Sequence, residues 1–192
     1  MSARVHRGIR VRASALIVGS GEEAFAGLVG LAESIGFAPI ARYTGMAAAG
    51  RQVDETPLVF FLCAPVKDLS TLKGVANAVR FSDDLRLRFS PLIYFTPEPS
   101  VACIRDCVNM GFDDVIATPY GGRDLAGRIG RQVGRTQTYY ETATYFGPDR
   151  RNRIGAPRSS ESDHGGGQFR RIEIIRSERG VDVLRDDFQV VL

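Results

Sequence analysis

Lysine is almost missing from this chain. Of its 25 basic residues, only Lys67 and Lys73 are not arginine. Histidine is as scarce, with His6 and His164 near the two ends and none in the apolar segments between. Cysteine is limited to Cys63, Cys103 and Cys107. Their spacing excludes a structural zinc site, which needs four ligands; Cys103 and Cys107 share one helical face, and thiols of this kind pack as small apolar side chains. No apolar run approaches the ~18 residues that would suggest a membrane span. The run "ALIV" behind the N-terminal arginines is too short for a signal-peptide core. These shortages point to a cytoplasmic protein with reduced cysteines, no metal and no cofactor.

What is present suits one globular domain with an extension. Hydrophobic residues make up 44% of 192 residues, enough for an ordinary core. The net charge of +3 implies no polyanionic partner by itself. Arginine is unevenly spread, however, and between Arg123 and Arg158 it far outnumbers the acids. That cluster is either compositional bias or a place for phosphate groups, because the guanidinium fork bonds oxyanions in pairs.

Along the chain, short apolar runs alternate with amphipathic segments. "ASALIVGS" (13–20) reads as a strand and its turn. In the stretch that follows, Phe25, Leu28, Val29, Ala32 and Ile35 fall at helical spacing, with Glu22 and Glu23 suited to the positive end of the helix dipole. "APIARYTG", "LVFFLCAP", Leu92–Thr96 and "DDVIATPY" are four more strands. Helices fit between them, and a last one is expected over "GGRDLAGRIGRQVGR", where Leu125, Ile129 and Val133 mark the buried stripe. Five βα units with continuously apolar strands imply a doubly wound α/β domain, a five-stranded parallel sheet covered on both faces. It is expected over 13–136, after a basic segment 1–12. An arginine-, glycine- and serine-rich linker is expected over 137–168. Period-two alternation on both sides of "SERG" predicts a β-hairpin over 169–192, extending the main sheet or pairing with another chain.

"MGFDDVIATPY" leading into the last helix resembles the response-regulator receiver domain of the CheY-like class. The "GFDD" at 111–114 and "TPY" at 118–120 match that family's frame, and the resemblance spans about two-thirds of the chain. It implies a flavodoxin-like receiver fold with a phosphorylation site at the carboxyl ends of the strands. The family uses an Asp at the end of the third strand, two acids after the first strand for Mg²⁺, a Lys before the proline, a Ser or Thr ending the fourth strand and an aromatic in the fifth. Here the phosphoacceptor position falls on Phe61 or Leu62, and the acid pair on Gly19 and Ser20. The Lys position falls on Thr118 and the aromatic on Val115; Thr96 alone fits. The resemblance therefore implies a pseudo-receiver in bacterial two-component or phosphorelay regulation. No enzymatic activity and no catalytic residue are expected. Cys63, near the strand end, lacks a neighbouring base to activate it.

Two functional readings follow. The first is a protein–protein adaptor, acting through its last helices or its hairpin on a partner or in a homodimer; Arg128, Arg131 and Arg135, three and four residues apart, would form a basic stripe on its face. The second rests on "YFGPDRRNRIGAPR". Its Arg150, Arg151, Arg153 and Arg158, beside Tyr145 and Phe146, resemble the arginine-rich extensions of CheY-like proteins that bind cyclic di-GMP. They are also similar to the Arg-Arg loop of PilZ domains, although the PilZ partner motif is missing. A solvated arginine linker is the plain alternative. Specific DNA binding is not expected, since the residues after 136 offer no helix-turn-helix.

Overall fold

A computed structural model describes residues 12–19, 21–119, 122–149 and 168–190. Five parallel strands form the first sheet: β1 (Ser14–Val18), β2 (Ile40–Arg42), β3 (Val59–Cys63), β4 (Leu92–Thr96) and β5 (Asp114–Ala117), in the order β2-β1-β3-β4-β5. This is the doubly wound, flavodoxin-like order, which receivers share. The chain thus has a receiver-like α/β fold over this part. Strands β1, β3 and β4 are buried along their whole length, which is why each reads as an unbroken apolar run.

Helices cover both faces. α1 (Glu22–Ile35) and α6 (Gly122–Gly130) pack one core against the sheet, with Leu28, Ala32, Ile35, Leu125 and Ile129 buried in it. On the other face lie α2 (Met46–Glu55), a 3₁₀ turn (Leu69–Leu72) running into α3 (Lys73–Arg80), and α5 (Val101–Asn109). A one-turn helix, α4 (Leu85–Arg88), follows α3 and is capped by the Asp84 carboxylate, which accepts from Arg86 N. No described helix is long and apolar enough to cross a membrane.

The last helix is shorter than the periodicity predicts. It stops at Gly130, and the chain turns through Gly134 into β6 (Thr136–Glu141). The linker expected from residue 137 is also replaced, as far as 148, by two strands, β6 and β7 (Phe146–Pro148). The missed signal is the Thr- and Tyr-rich composition of "TQTYYE", which favours a pleated, half-buried strand. β8 (Gln168–Ser177) and β9 (Gly180–Val190) form the predicted hairpin about the turn at Glu178–Arg179. It does not extend the parallel sheet. It joins β6 and β7 in a separate antiparallel sheet, ordered β7-β6-β8-β9.

The second sheet sits on the side of the parallel domain where α4 leads into β4. Phe89, which follows α4, inserts among Tyr139, Phe146, Ile172 and Ile174 of the second sheet. Its ring stands edge-on to Tyr139 at 5.1 Å and lies 5.5 Å from Phe146. Burying side chains of this size contributes about 1.5–3 kcal/mol each. Arg88 lies over the Phe146 ring at 4.4 Å and bonds Glu141 at 2.5 Å. At Gly111, before β5, the backbone meets β7 so closely that a Cβ would clash with the Phe146 carbonyl oxygen; its φ of +82° also favours glycine. Gly111→Ala is therefore expected to cost about 2–4 kcal/mol, combining left-handed strain with a clash against backbone. Urea unfolding measures it; a loss below about 1 kcal/mol would mean that the two sheets separate freely.

Candidate functional site

In the receiver family that the sequence resembles, the reaction lies along the carboxyl edge of the parallel sheet. The register sets Val18 beside Cys63, Cys63 beside Tyr94, and Thr96 beside Ala117. Thr118 N donates to Thr96 O at 2.8 Å, so Thr96 and Thr118 stand together at that edge, with Thr96 buried. Gly19 follows the last residue of β1. Its φ is +153°, and a Cβ there would meet Ala64 Cβ at 2.8 Å, so the β1 and β3 loops already touch. Phe61 and Leu62 lie within β3 rather than beyond it. Phe61 is buried in one core, edge-on to Tyr43 at 5.7 Å, and Leu62 is buried in the other. Ser20 lies outside the described residues.

A cation occupies the mouth of this edge. Arg42, the last residue of β2, donates from Nη1 to Gly19 O at 3.2 Å and from Nη2 to Glu22 Oε1 at 2.7 Å. Its guanidinium also lies 3.9 Å over the Phe25 ring. The Glu22 carboxylate is thus paired with an arginine. Magnesium takes charged oxygen ligands in near-octahedral array, and the residues here do not fit it. Cys63 is no substitute nucleophile, because burial pushes its thiol up, with the neighbouring Cys107 adding to this against a smaller opposing effect of Arg80.

Among the described residues, a dense buried polar network lies instead at the junction of the two sheets. Asp113, just before β5, is buried and accepts hydrogen bonds from four groups of the described residues. Oδ2 accepts from Arg80 Nη2 at 2.5 Å and from Leu92 N at 2.8 Å; Oδ1 accepts from Arg176 Nη2 at 3.0 Å and from the Tyr139 hydroxyl. Arg80 also donates to the carbonyls of Gly111, Arg88 and Ser90 at 2.8–2.9 Å. Arg176 donates to the Phe89 carbonyl at 2.6 Å, to Gln137 Oε1 at 2.8 Å, and to the Tyr139 hydroxyl. Burial pushes the Tyr139 phenol up, which keeps it a neutral donor. Apart from Asp113, which the sequence offers only as part of the "GFDD" frame, none of these residues stands out in the sequence reading, but a signal exists. Arg80 shares the buried face of α3 with Ala76 and Val79, and Arg176 continues the inward alternation of Ile172 and Ile174. An arginine in a core position calls for a buried carboxylate.

The expected basic stripe is not a stripe. Arg128 is clamped to Asp114, with Nε to Oδ2 at 3.0 Å and Nη2 to Oδ1 at 2.6 Å. Arg131 and Arg135 lie past the end of α6, so helical spacing does not govern them. All three line a cleft of about 760 Å³ between the end of α6 and strands β6 and β7. Arg150, Arg151, Arg153 and Arg158 lie outside the described residues.

No protein-family model matches the sequence, and no curated protein matches it. Among solved structures, the chain is similar to a candidate response regulator of Chloroflexus aurantiacus, with 16% identity over 65% of this chain and 100% of that one and a TM-score of 0.45. It is similar to the receiver domain of a sensor histidine kinase of Pseudomonas aeruginosa, solved with magnesium in its active-site cleft. That identity is 18%, over 65% of this chain and 99% of that one, with a TM-score of 0.48. A CheY-like receiver domain protein of Methanospirillum hungatei gives 22% identity, 64% and 93% coverage, and a TM-score of 0.41. The likeness is one of fold.

Asp113→Asn keeps the shape of the junction and removes its charge. It is expected to cost about 3–5 kcal/mol, the range for stranding partners of a buried ion pair. Burial opposes ionisation of Asp113, but Arg80 and Arg176, with the Tyr139 and Leu92 bonds, outweigh it and hold the carboxyl at about 2, below its ordinary 3.8. A lowered folded-state value gives stability that is present above the unfolded value and lost as pH falls. The stability difference between wild type and variant should therefore shrink as pH falls from about 4 to about 2. A difference that ignores pH would mean that the charge of Asp113 is not its source.

Proposed function

We propose that this chain is a non-catalytic signalling adaptor of two-component type, whose receiver-like domain is read by protein contact and not switched by aspartyl phosphorylation. One observation carries the reading: the Arg42 guanidinium is bonded to the Gly19 carbonyl and the Glu22 carboxylate, at the mouth where the family's frame would seat a divalent cation. Phe61 and Leu62, packed in the two cores, support it, because a phosphoacceptor must reach solvent. The contact surface is the outer face of α5, where Val101 is 84% and Ile104 42% exposed. Apolar side chains so placed favour a protein partner, although singly exposed ones are common.

Incubation with acetyl phosphate and Mg²⁺ tests the first half. Intact-protein mass spectrometry is expected to show no acid-stable, base-labile phosphoryl adduct; such an adduct would overturn the reading. A photo-crosslinking residue placed in vivo at Val101 tests the second. It should trap a defined protein species that the same residue at Glu33, on the opposite layer, does not. Equal labelling at both positions would remove α5 as the docking face.

A further inference from the structure

We propose that the cleft between the end of α6 and strands β6 and β7 binds a phosphate-bearing small molecule through Arg131 and Arg135. Its volume of about 760 Å³ suits a small organic ligand. The argument rests on charge accounting across the two walls. Asp113 faces the cleft but is saturated from behind by Arg80, Arg176, Tyr139 and Leu92 N. Asp114 is held in the two-pronged grip of Arg128. Asp149 is the third carboxylate, anchored by its N–H to Thr138 O at 2.7 Å. With Asp113 held by Arg80 and Arg176 behind the wall and Asp114 by Arg128, the remaining arginines of the lining, Arg131 and Arg135, face Asp149 alone, so the wall retains a surplus of positive charge.

The excess is concentrated at Arg131 and Arg135. Their guanidinium groups make no ion pair or hydrogen bond with the described residues. Both are exposed, and they bracket the turn whose Gly134 N–H bonds Arg176 O at 2.9 Å. That bond ties the turn to the buried network, so the two arginines spring from a fixed backbone. Thr136 and Thr138 also line the cleft. Two forked cations on a preorganised backbone suit the several oxygens of a phosphate or diphosphate group. A lone solvated arginine would need no such cleft, and a carboxylate partner would need only one fork.

Isotope-labelled full-length protein should be titrated with inorganic pyrophosphate and, separately, with adenosine triphosphate, at about 150 mM salt, where exposed charges are screened beyond ~8 Å. Amide shifts confined to residues 131–138, with either probe, are the expected result. The R131Q/R135Q variant should bind at least about tenfold more weakly, since a charge-assisted hydrogen bond contributes at least that much. Its unfolding midpoint should stay unchanged, because neither side chain has a partner to lose among the described residues. Pyrophosphate binding would place the contact on phosphate alone; binding of the nucleotide only would add the nucleoside. Three results would overturn the site. They are no shift with either probe, shifts spread over distant arginines such as Arg105 and Arg185, and binding that survives R131Q/R135Q but is lost in R150A/R151A. The result is independent of the phosphorylation test above.

Discussion

One carboxylate between two arginines sets the architecture of this protein. Asp113 lies at the start of β5, Arg80 at the end of α3, and Arg176 near the end of β8. All three are buried, and a charge in such a place is tolerated only when paired and fully hydrogen-bonded. Two guanidinium groups against one carboxylate leave a positive surplus. Backbone carbonyls of Gly111, Arg88, Ser90 and Phe89 absorb it, with Gln137 and the Tyr139 hydroxyl. Every acceptor must be in position at once. The network therefore favours one placement of the second sheet on the first, because hydrogen bonds are directional where the apolar contacts around Phe89 are not.

The same residues explain why the two regions of chemical interest are separate. In an open α/β sheet the customary place for a ligand is the carboxyl edge. Here, among the described residues, the β1 and β3 loops approach closely at Gly19 and Ala64, and Arg42 bonds across the mouth of that edge. The antiparallel sheet creates a different concavity, against the end of α6, with a different charge. The fold is receiver-like, but this concavity lies beside the start of β5, away from the carboxyl edge where receivers keep their site.

How much of this was legible in the sequence depends on which physical signal each part carries. The five βα units were clear because their strands are continuously apolar and their helices keep a 3.6-residue stripe, as in Leu28, Ala32 and Ile35 of α1. The end of α6 was not. Arg131 and Arg135 continue a helical spacing that the backbone leaves at Gly130. β6 was hidden because its inward residue is Tyr139, whose hydroxyl makes it look amphipathic out of context. The "GFDD" of the resemblance was recognised as a frame marker, yet its first Asp turned out to anchor the junction. Among so many arginines, Arg80 and Arg176 could be told apart only by noticing that each falls on a buried face.

The separation of these partners along the chain has a consequence for how the protein is made. Asp113 and Arg176 are 63 residues apart, and Phe89 and Arg176 are 87 apart. Contacts this distant carry a large loop-closure entropy and form late. During synthesis the parallel sheet and its helices emerge first, with Arg80 and Asp113 already present and able to pair. The face around Phe89, however, waits uncovered until β8 has left the ribosome. For that interval the nascent chain exposes an aromatic seam and an incomplete polar cluster, the kind of surface that holding chaperones recognise.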